Sequence, residues 1–363
     1  MGLFLLLGVF AICVVIGTPV AFALGIAALA AFWHEGLPLF VVFQRIVSGI
    51  NVFSLMAIPF FIFAGELMFH GGIAMRLVKF AQSAVGAVRG GLGIVNVFSS
   101  MLFGGISGSA IADISALGSI LIPVMKDKGY DADYAVNVTV TSSIAGIIIP
   151  PSHNMIIFAL ATGGAVSISK LFLAGVVPGV LMCICLAVAA YLVAVKRGYE
   201  AEKFPGFAAL ILTFASAIPG LLTAVIIVGG VLSGVFTVTE SGAFGAILIA
   251  CAAAFAYMLT FYRVPDKTVT FLTGLTDNPI LILLMINAVL LLLGMIMDMA
   301  ALILICTPIF LPVMYALGID PVQFGIILLV NLGLGLCTPP VGSCLFVGCA
   351  VGKLPMEKAL RTI

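Results

Sequence analysis

A proline pair stands inside an apolar segment of this chain, and the same arrangement returns later. Ile149-Pro150-Pro151-Ser152 recurs as Thr338-Pro339-Pro340-Val341, at an offset of 189 residues. At that offset Pro123, Val124, Met125, Gly129, Asp131, Gly146, Ala161 and Gly163 fall on Pro312, Val313, Met314, Gly318, Asp320, Gly335, Ala350 and Gly352. With the prolines this makes ten identities in 41 ungapped positions. Proline lacks an amide donor and clashes with the carbonyl one turn earlier, so each pair interrupts a helix. A duplicated apolar segment interrupted at the same place points to the binding site of a transporter.

Composition fixes the solvent. The chain is 63% hydrophobic and 8% charged, against about 45–50% and 25% in soluble domains. Leu3–Trp33, Phe172–Val195 and Ile280–Met297 are near or above the roughly 20 residues needed to cross a bilayer. Leu3–Trp33 is too long for a cleaved signal and is expected to be one span. Forty glycines suit close helix packing in lipid. The expected class is an all-α, polytopic membrane protein, and a net charge of +1 argues against nucleic acid. The eight cysteines lie in apolar runs without a CxxC pair. They are expected to be small core residues, with a metal or redox role as the alternative. Asn137-Val138-Thr139 matches a glycosylation sequon but lies in a span.

Basic residues mark the cytoplasmic loops. They cluster at Arg76/Lys79/Arg89, Lys126/Lys128, Lys196/Arg197/Lys203 and Lys353/Lys358/Arg361. With the N-terminus inside, Leu3–Trp33 leads out and Val52–Phe69 leads back. The segment 91–126 then has basic loops at both ends and must enter and leave on one side. Its centre, Gly104-Gly105-Ile106-Ser107-Gly108-Ser109-Ala110, reads as the tip of a re-entrant hairpin. A broken span over 135–162 and a return over Phe172–Val195 complete a first half, residues 1–195. A cytoplasmic connector or amphipathic helix (196–216) precedes a second half (217–363), with a hairpin at 278–315 and a broken span at 321–351. The two halves are expected to form an inverted repeat. In the second half the charge count fails by one crossing. The expectation is therefore that a cytoplasmic stretch is missing near Ile247/Leu248, within what would otherwise be one helix from Thr239 to Tyr262. A final span is also expected to be absent after Ile363.

Four acids lie in apolar context: Glu66, Asp113, Glu240 and Asp298. A charge at the bilayer centre costs about 3 kcal/mol or more, which makes each a functional candidate. Asp113 and Asp298 follow the two hairpin tips; either each caps the second arm of its hairpin or each binds a cation. Glu66 and Glu240 have no counterpart at the offset and are expected to pair with other segments. The broken spans add Ser142, Ser143, Ser152, His153 and Asn154 in one half, and Asn331, Thr338, Gly342 and Ser343 in the other. Broken helices expose carbonyls that suit a cation and amides that suit a carboxylate. Small neutral oxygen ligands favour a hard monovalent ion over Zn²⁺, Ca²⁺ or Mg²⁺. His153, the one histidine in a span, is either a core residue or a hydrogen-bonding contact to substrate. The bland alternative for both breaks is a pair of kinks satisfied by packing and water. No nucleophile–base set, phosphate loop or metal-spaced His/Cys set appears, so neither an enzyme nor a nucleotide-driven pump is expected.

The combination of Gly104–Asp113, Ile149-Pro150-Pro151-Ser152 and Gly333-Leu334-Gly335-Leu336-Cys337-Thr338-Pro339-Pro340-Val341-Gly342 resembles the large membrane subunit of tripartite ATP-independent periplasmic (TRAP) transporters. So does Asp298 followed by Pro308 and Pro312. The resemblance covers essentially the whole chain, although members usually run longer. It implies a Na⁺-coupled elevator in the bacterial inner membrane, with no organic cofactor. The implied partners are a small four-helix membrane subunit and a periplasmic substrate-binding protein. The implied substrate is an organic acid: a C4-dicarboxylate, sialic acid or another sugar or keto acid. Pro150-Pro151-Ser152-His153-Asn154-Met155 resembles the sialic acid branch. Ser107, Gly108 and Ser109 match the family's first hairpin tip, and Pro150, Pro151, Thr338, Pro339 and Pro340 match its two helix breaks around the sodium sites. With the candidates above, Na⁺ is expected near Ser107, Ser109, Asp113, Ser142, Pro150, Asp298, Asn331, Thr338 and Pro339, and substrate near Ser107, Gly108, Ser109, Ser152, His153, Asn154, Gly342 and Ser343. A stand-alone dicarboxylate/sodium symporter and a channel-like subunit remain alternatives.

Overall fold

The computed structural model describes residues 2–50, 72–232, 258–259, 261–276, 278–339 and 342–360. Among these the chain is helical, apart from one isolated antiparallel bridge between Arg89 and Ala201. The solvent explains this, because a helix satisfies its backbone amides within one segment and needs no water to do so. Glu66, Glu240, Pro340 and the 247/248 junction lie outside the described residues.

Leu3–Trp33, expected as one crossing, folds as two antiparallel helices, α1 (Gly2–Val15) and α2 (Val20–His34). Gly2 lies against Glu35 just past the far end of α2. Gly17 at φ 86° turns the chain and Pro19 precedes the first residue of α2. Helices of 14 and 15 residues reach only about 21–23 Å at 1.5 Å per residue, short of the roughly 30 Å core. The charge count therefore loses its first crossing. α3 (Phe40–Ile50) follows. α4 (Ile73–Val85) buries Ala74, Leu77, Val78 and Ala81 on one face and exposes Met75, Arg76 and Lys79 on the other.

α5 (Gly91–Ser107) ends at Gly108, whose φ of 62° reverses the chain. Ser109 caps the return arm, accepting the Ala112 amide at 3.4 Å. That arm comprises α6 (Ala110–Asp113), a π-helical turn (Ile114–Gly118) and α7 (Ser119–Asp127). The next segment is broken twice: α8 (Ala132–Ser142), α9 (Ala145–Ile148) and α10 (His153–Ala161). Across Pro150-Pro151, whose bond is cis, the axis bends by 49°. α11 (Ile168–Lys196) is long and apolar enough to cross a membrane. α12 (Phe207–Leu232) runs straight through residue 216, so no element boundary falls there. It exposes Phe207, Ile211, Leu212 and Phe214.

α13 (Val264–Leu275) leads to α14 (Pro279–Gly294) and α15 (Met299–Ala316). α16 (Pro321–Cys337) and α17 (Ser343–Gly352) flank the second break, and α18 (Met356–Ala359) follows. α10 packs on α15, and α17 packs on α8 and on the second arm of the first hairpin. The part after each break thus leans on the other half of the chain. Gly348 and Gly352 lie against Val140 and Val136, and Gly325 lies against the Phe158 ring.

Candidate functional site

Each hairpin meets the broken segment that follows it through backbone contact. A Cβ on Gly104 would stand 2.6 Å from the Gly146 Cα, and one on Gly335 would stand 2.8 Å from the Gly294 Cα. Gly146 and Gly335 are an identity of the repeat, and this crossing is what they provide. The broken segments also touch each other, with Gly333 against Ile144, two positions separated by the same 189 residues.

Around the first crossing the structure gathers most of the expected site. Gly108 faces the Pro151 carbonyl and the Ser152–His153 backbone, and Gly105 faces the Pro150 carbonyl. Ser107 and Ser152 are 1% and 0% exposed, yet neither hydroxyl has a hydrogen-bond partner. Buried polar groups are nearly always bonded, so such orphans need an explanation. Asn154 is buried; His153 is half-buried with its Nδ1 unpartnered. At the second crossing Gly342 adopts φ 45° and turns close to the Leu336 and Thr338 carbonyls. The Ser343 hydroxyl is unpartnered, whereas the Thr338 hydroxyl donates back to the Leu334 carbonyl at 2.7 Å. Pro339 is half-buried beside it.

Sequence reasoning missed the polar bridges that join hairpin to broken segment. Asn96 on α5 donates to the Thr139 hydroxyl at 2.6 Å and accepts from Ser142 at 3.2 Å, while Ser100 and Ser142 stand 3.1 Å apart. In the second half Asn331 donates to both the carbonyl and the side-chain oxygen of Asn287, each at 2.9 Å. Ser142 and Asn331 are positions matched by the repeat. The available signal was a lone polar residue on an otherwise apolar hairpin arm, Asn96 with Ser100 one turn on, and Asn287.

The two acids part company. Asp298 is exposed and caps α15, accepting the Ala300 amide at 3.0 Å. Asp113 caps nothing, because Ser109 already occupies that position. It is 1% exposed beside the Ser100 hydroxyl, and neither of its oxygens makes a well-aligned hydrogen bond. Among the described residues no three His, Cys, Asp or Glu side chains converge as for a transition metal.

Outside the spans, a charged cluster ties the end of α11 to the start of α8. Arg197 donates to both oxygens of Asp133 at 2.9 and 2.8 Å and to Asp131 at 2.9 Å. These carboxylates, Asp133 foremost, raise the pKa of the guanidinium above its already high value. Burial raises that of the adjoining Tyr199 phenol.

The DctM component model of the tripartite ATP-independent periplasmic transporters matches residues 7–249 and 244–363. The sialic acid TRAP transporter large permease SiaM of Vibrio cholerae is 36% identical over 96% of this chain and 89% of its own length. The C4-dicarboxylate TRAP transporter large permease DctM of Pseudomonas aeruginosa is 39% identical over 85% and 80%. The crystal structure of the Alcanivorax borkumensis YdaH transporter superposes with a TM-score of 0.58 at 16% identity. That superposition covers 89% of this chain and 84% of the other, and it speaks to fold alone. A hairpin tip seated on a broken helix, within a chain that the family model matches almost end to end, leads to one assignment: this multi-pass membrane protein belongs to the DctM family, the large permeases of TRAP transporters.

Proposed function

We propose that this chain carries an organic acid across the bacterial inner membrane, coupled to Na⁺, with an elevator-like movement of its two hairpins and two broken helices. The observation that carries this reading is the first crossing, where the Ser107 and Ser152 hydroxyls are buried without a partner and Gly105 and Gly108 of the hairpin tip lie against the Pro150 and Pro151 carbonyls. Neutral oxygens held at a helix break fit a hard monovalent cation. Ser107, Ser109, Ser142, Asp113 and Pro150 would hold Na⁺ on one side, and Asn331, Thr338 and Pro339 on the other. Bound Na⁺ supplies positive charge that attracts a substrate carboxylate. Asp298 is the weakest member of the set, since its oxygen already serves the start of α15.

The inverted-repeat reading is supported by Ile144 and Gly333, matched positions that touch, as equivalent positions do beside a two-fold axis. An internal loss near 247/248 is supported by the family model matching in two pieces that meet at 244–249. The SiaM alignment has 386 positions, so a chain of 363 residues leaves at least 23 positions (386 − 363) without a residue of its own.

Ser152, His153, Asn154, Gly342, Ser343 and the hairpin tip Ser107-Gly108-Ser109 would contact substrate. Sialic acid is favoured because His153 and Asn154 can bond hydroxyl and amide groups that succinate lacks. A small membrane subunit and a periplasmic binding protein complete the system. Uptake by proteoliposomes holding the chain with its small subunit tests this. Accumulation of labelled sialic acid is expected only with an inward Na⁺ gradient and a binding protein. Uptake without the binding protein favours the stand-alone symporter, and uptake indifferent to Na⁺ removes the coupling.

A further inference from the structure

The segment from Arg197 to Gly206, between α11 and α12, is held at two points of unequal strength. Its first residue is riveted. Arg197 makes the charge-assisted bonds to Asp131 and Asp133 described above and lies over the Tyr134 ring at 5.8 Å. Tyr199 donates to Asp131 at 2.7 Å, stacks near Tyr130 with centroids 4.3 Å apart, and accepts the Asp131 amide at 3.1 Å. Bidentate arginine–carboxylate pairs are the strong class of ionic contact.

The second point is Glu202. One carboxylate oxygen accepts from Gln82 on α4 at 2.9 Å, and the other pairs with Lys128, in the turn between α7 and α8, at 3.2 Å. The Lys128 side chain is 57% exposed, and solvated pairs of this kind contribute little. Gly198 at φ 76° lies inside the rivet, where its amide and that of Tyr199 bond the Val195 and Ala194 carbonyls and close α11. The segment ends beyond the latch at Gly206, at φ 94°, a backbone that only glycine takes freely, and this is its swivel. Beside Glu202, Ala201 forms an isolated bridge with Arg89 in the turn between α4 and α5. A cavity of about 580 Å³ lies between the segment and its wall of Gln82, Lys128 and Tyr130.

We propose that residues 200–206 form a strap hinged at Gly206, in which the Arg197–Tyr199 cluster is a fixed anchor and Glu202 is a latch joining α4 to the α7–α8 turn that opens in each transport cycle. The chemistry matches the mechanics. The anchor spends three arginine bonds and a tyrosine on the start of the broken segment, so the strap's origin follows that segment wherever it moves. The latch spends one carboxylate on two partners from different elements, so relative displacement of those elements must release at least one of them. The proposal rests on the transport reading above, in which the hairpin and the broken helix shift against the rest of the chain.

The test uses the full chain with its small subunit. In the Gln82→Cys/Glu202→Cys double variant, a disulfide or short bifunctional thiol reagent closes the latch. Uptake is expected to fall at least tenfold and to return on reduction, with each single variant unaffected by the reagent. Cross-linked protein that transports at the uncross-linked rate overturns the proposal. A second readout needs no transport. In nanodiscs, maleimide labelling at Ala201→Cys is expected to quicken about two- to fivefold when Glu202→Gln is added, the range a weak surface pair allows. Equal labelling with and without Glu202→Gln also overturns it. Absence of uptake before any cross-linking, with quickened labelling, counts against the transport reading and leaves the latch standing.

Discussion

The two crossings are built alike and finished differently. In both, glycine meets glycine where a hairpin arm passes a broken segment, and in both an asparagine on that arm bonds a matched polar position, Ser142 or Asn331. The endings diverge. Asp298 stands at the start of α15 and bonds its amide, while Asp113 comes four residues after the capping Ser109 and is buried without a partner. Asp320 likewise caps α16 at 2.8 Å, whereas its repeat partner Asp131 turns to Arg197 and Tyr199. Similar sequence places two acids near one feature, but the distance to the helix start decides whether the charge goes to the backbone or stays available to a ligand.

The glycine crossings should give the largest effect. Gly104→Val and Gly335→Val are expected to yield no monodisperse protein on size exclusion, since even a Cβ would press on backbone within 3 Å. The alanine variants should each cost about 1–3 kcal/mol in thermal unfolding, as overpacked contacts do. A harmless change at one crossing and a severe one at the other breaks the equivalence. The acids come next. Asp113→Asn should reduce Na⁺-driven uptake about tenfold or more, given what a buried intramembrane charge implies. Asp298→Asn should change it less than about twofold, because asparagine caps a helix as well as aspartate. Equal losses at the two acids contradict the division of roles drawn here. Asn96→Ala should cost about 1–3 kcal/mol, the penalty for stranding a buried partner, and Asn287→Ala less, because half-buried Asn331 keeps its bond to the Asn287 carbonyl. The smallest effect is expected at Asp320→Ala, about 1 kcal/mol for a lost cap, visible as a lowered melting temperature with uptake intact.

Much of this was legible because prolines and glycines speak through backbone sterics, which need no partner. Pro150-Pro151 and the Gly104–Ala110 run located the first break and the first hairpin tip within a few residues. What stayed hidden depended on neighbours. That Leu3–Trp33 folds back on itself rests on Gly17 and Pro19, a weak turn inside a run long enough to span. That Asn96 reaches Thr139 and Ser142 depends on which element meets the polar face of α5, and Asn96 and Ser100 mark that face without revealing its neighbour. Asp113 and Asp298 looked related because both follow a hairpin tip, yet they stand 10 and 14 residues before the matched Pro123 and Pro312, and that offset puts Asp298 at a helix start and Asp113 four residues past the capping Ser109.

The most direct measurement is a Na⁺ titration of uptake in Ser107→Ala. The hydroxyl of Ser107 is buried, unpartnered and beside the first helix break, so its removal should raise the Na⁺ concentration for half-maximal uptake about tenfold, the worth of one hydrogen-bonding oxygen to a charge. Folding and maximal rate should be nearly unchanged. A titration curve that overlays the unaltered protein would contradict the account, because the orphaned oxygen at the first crossing would then have no ion to hold.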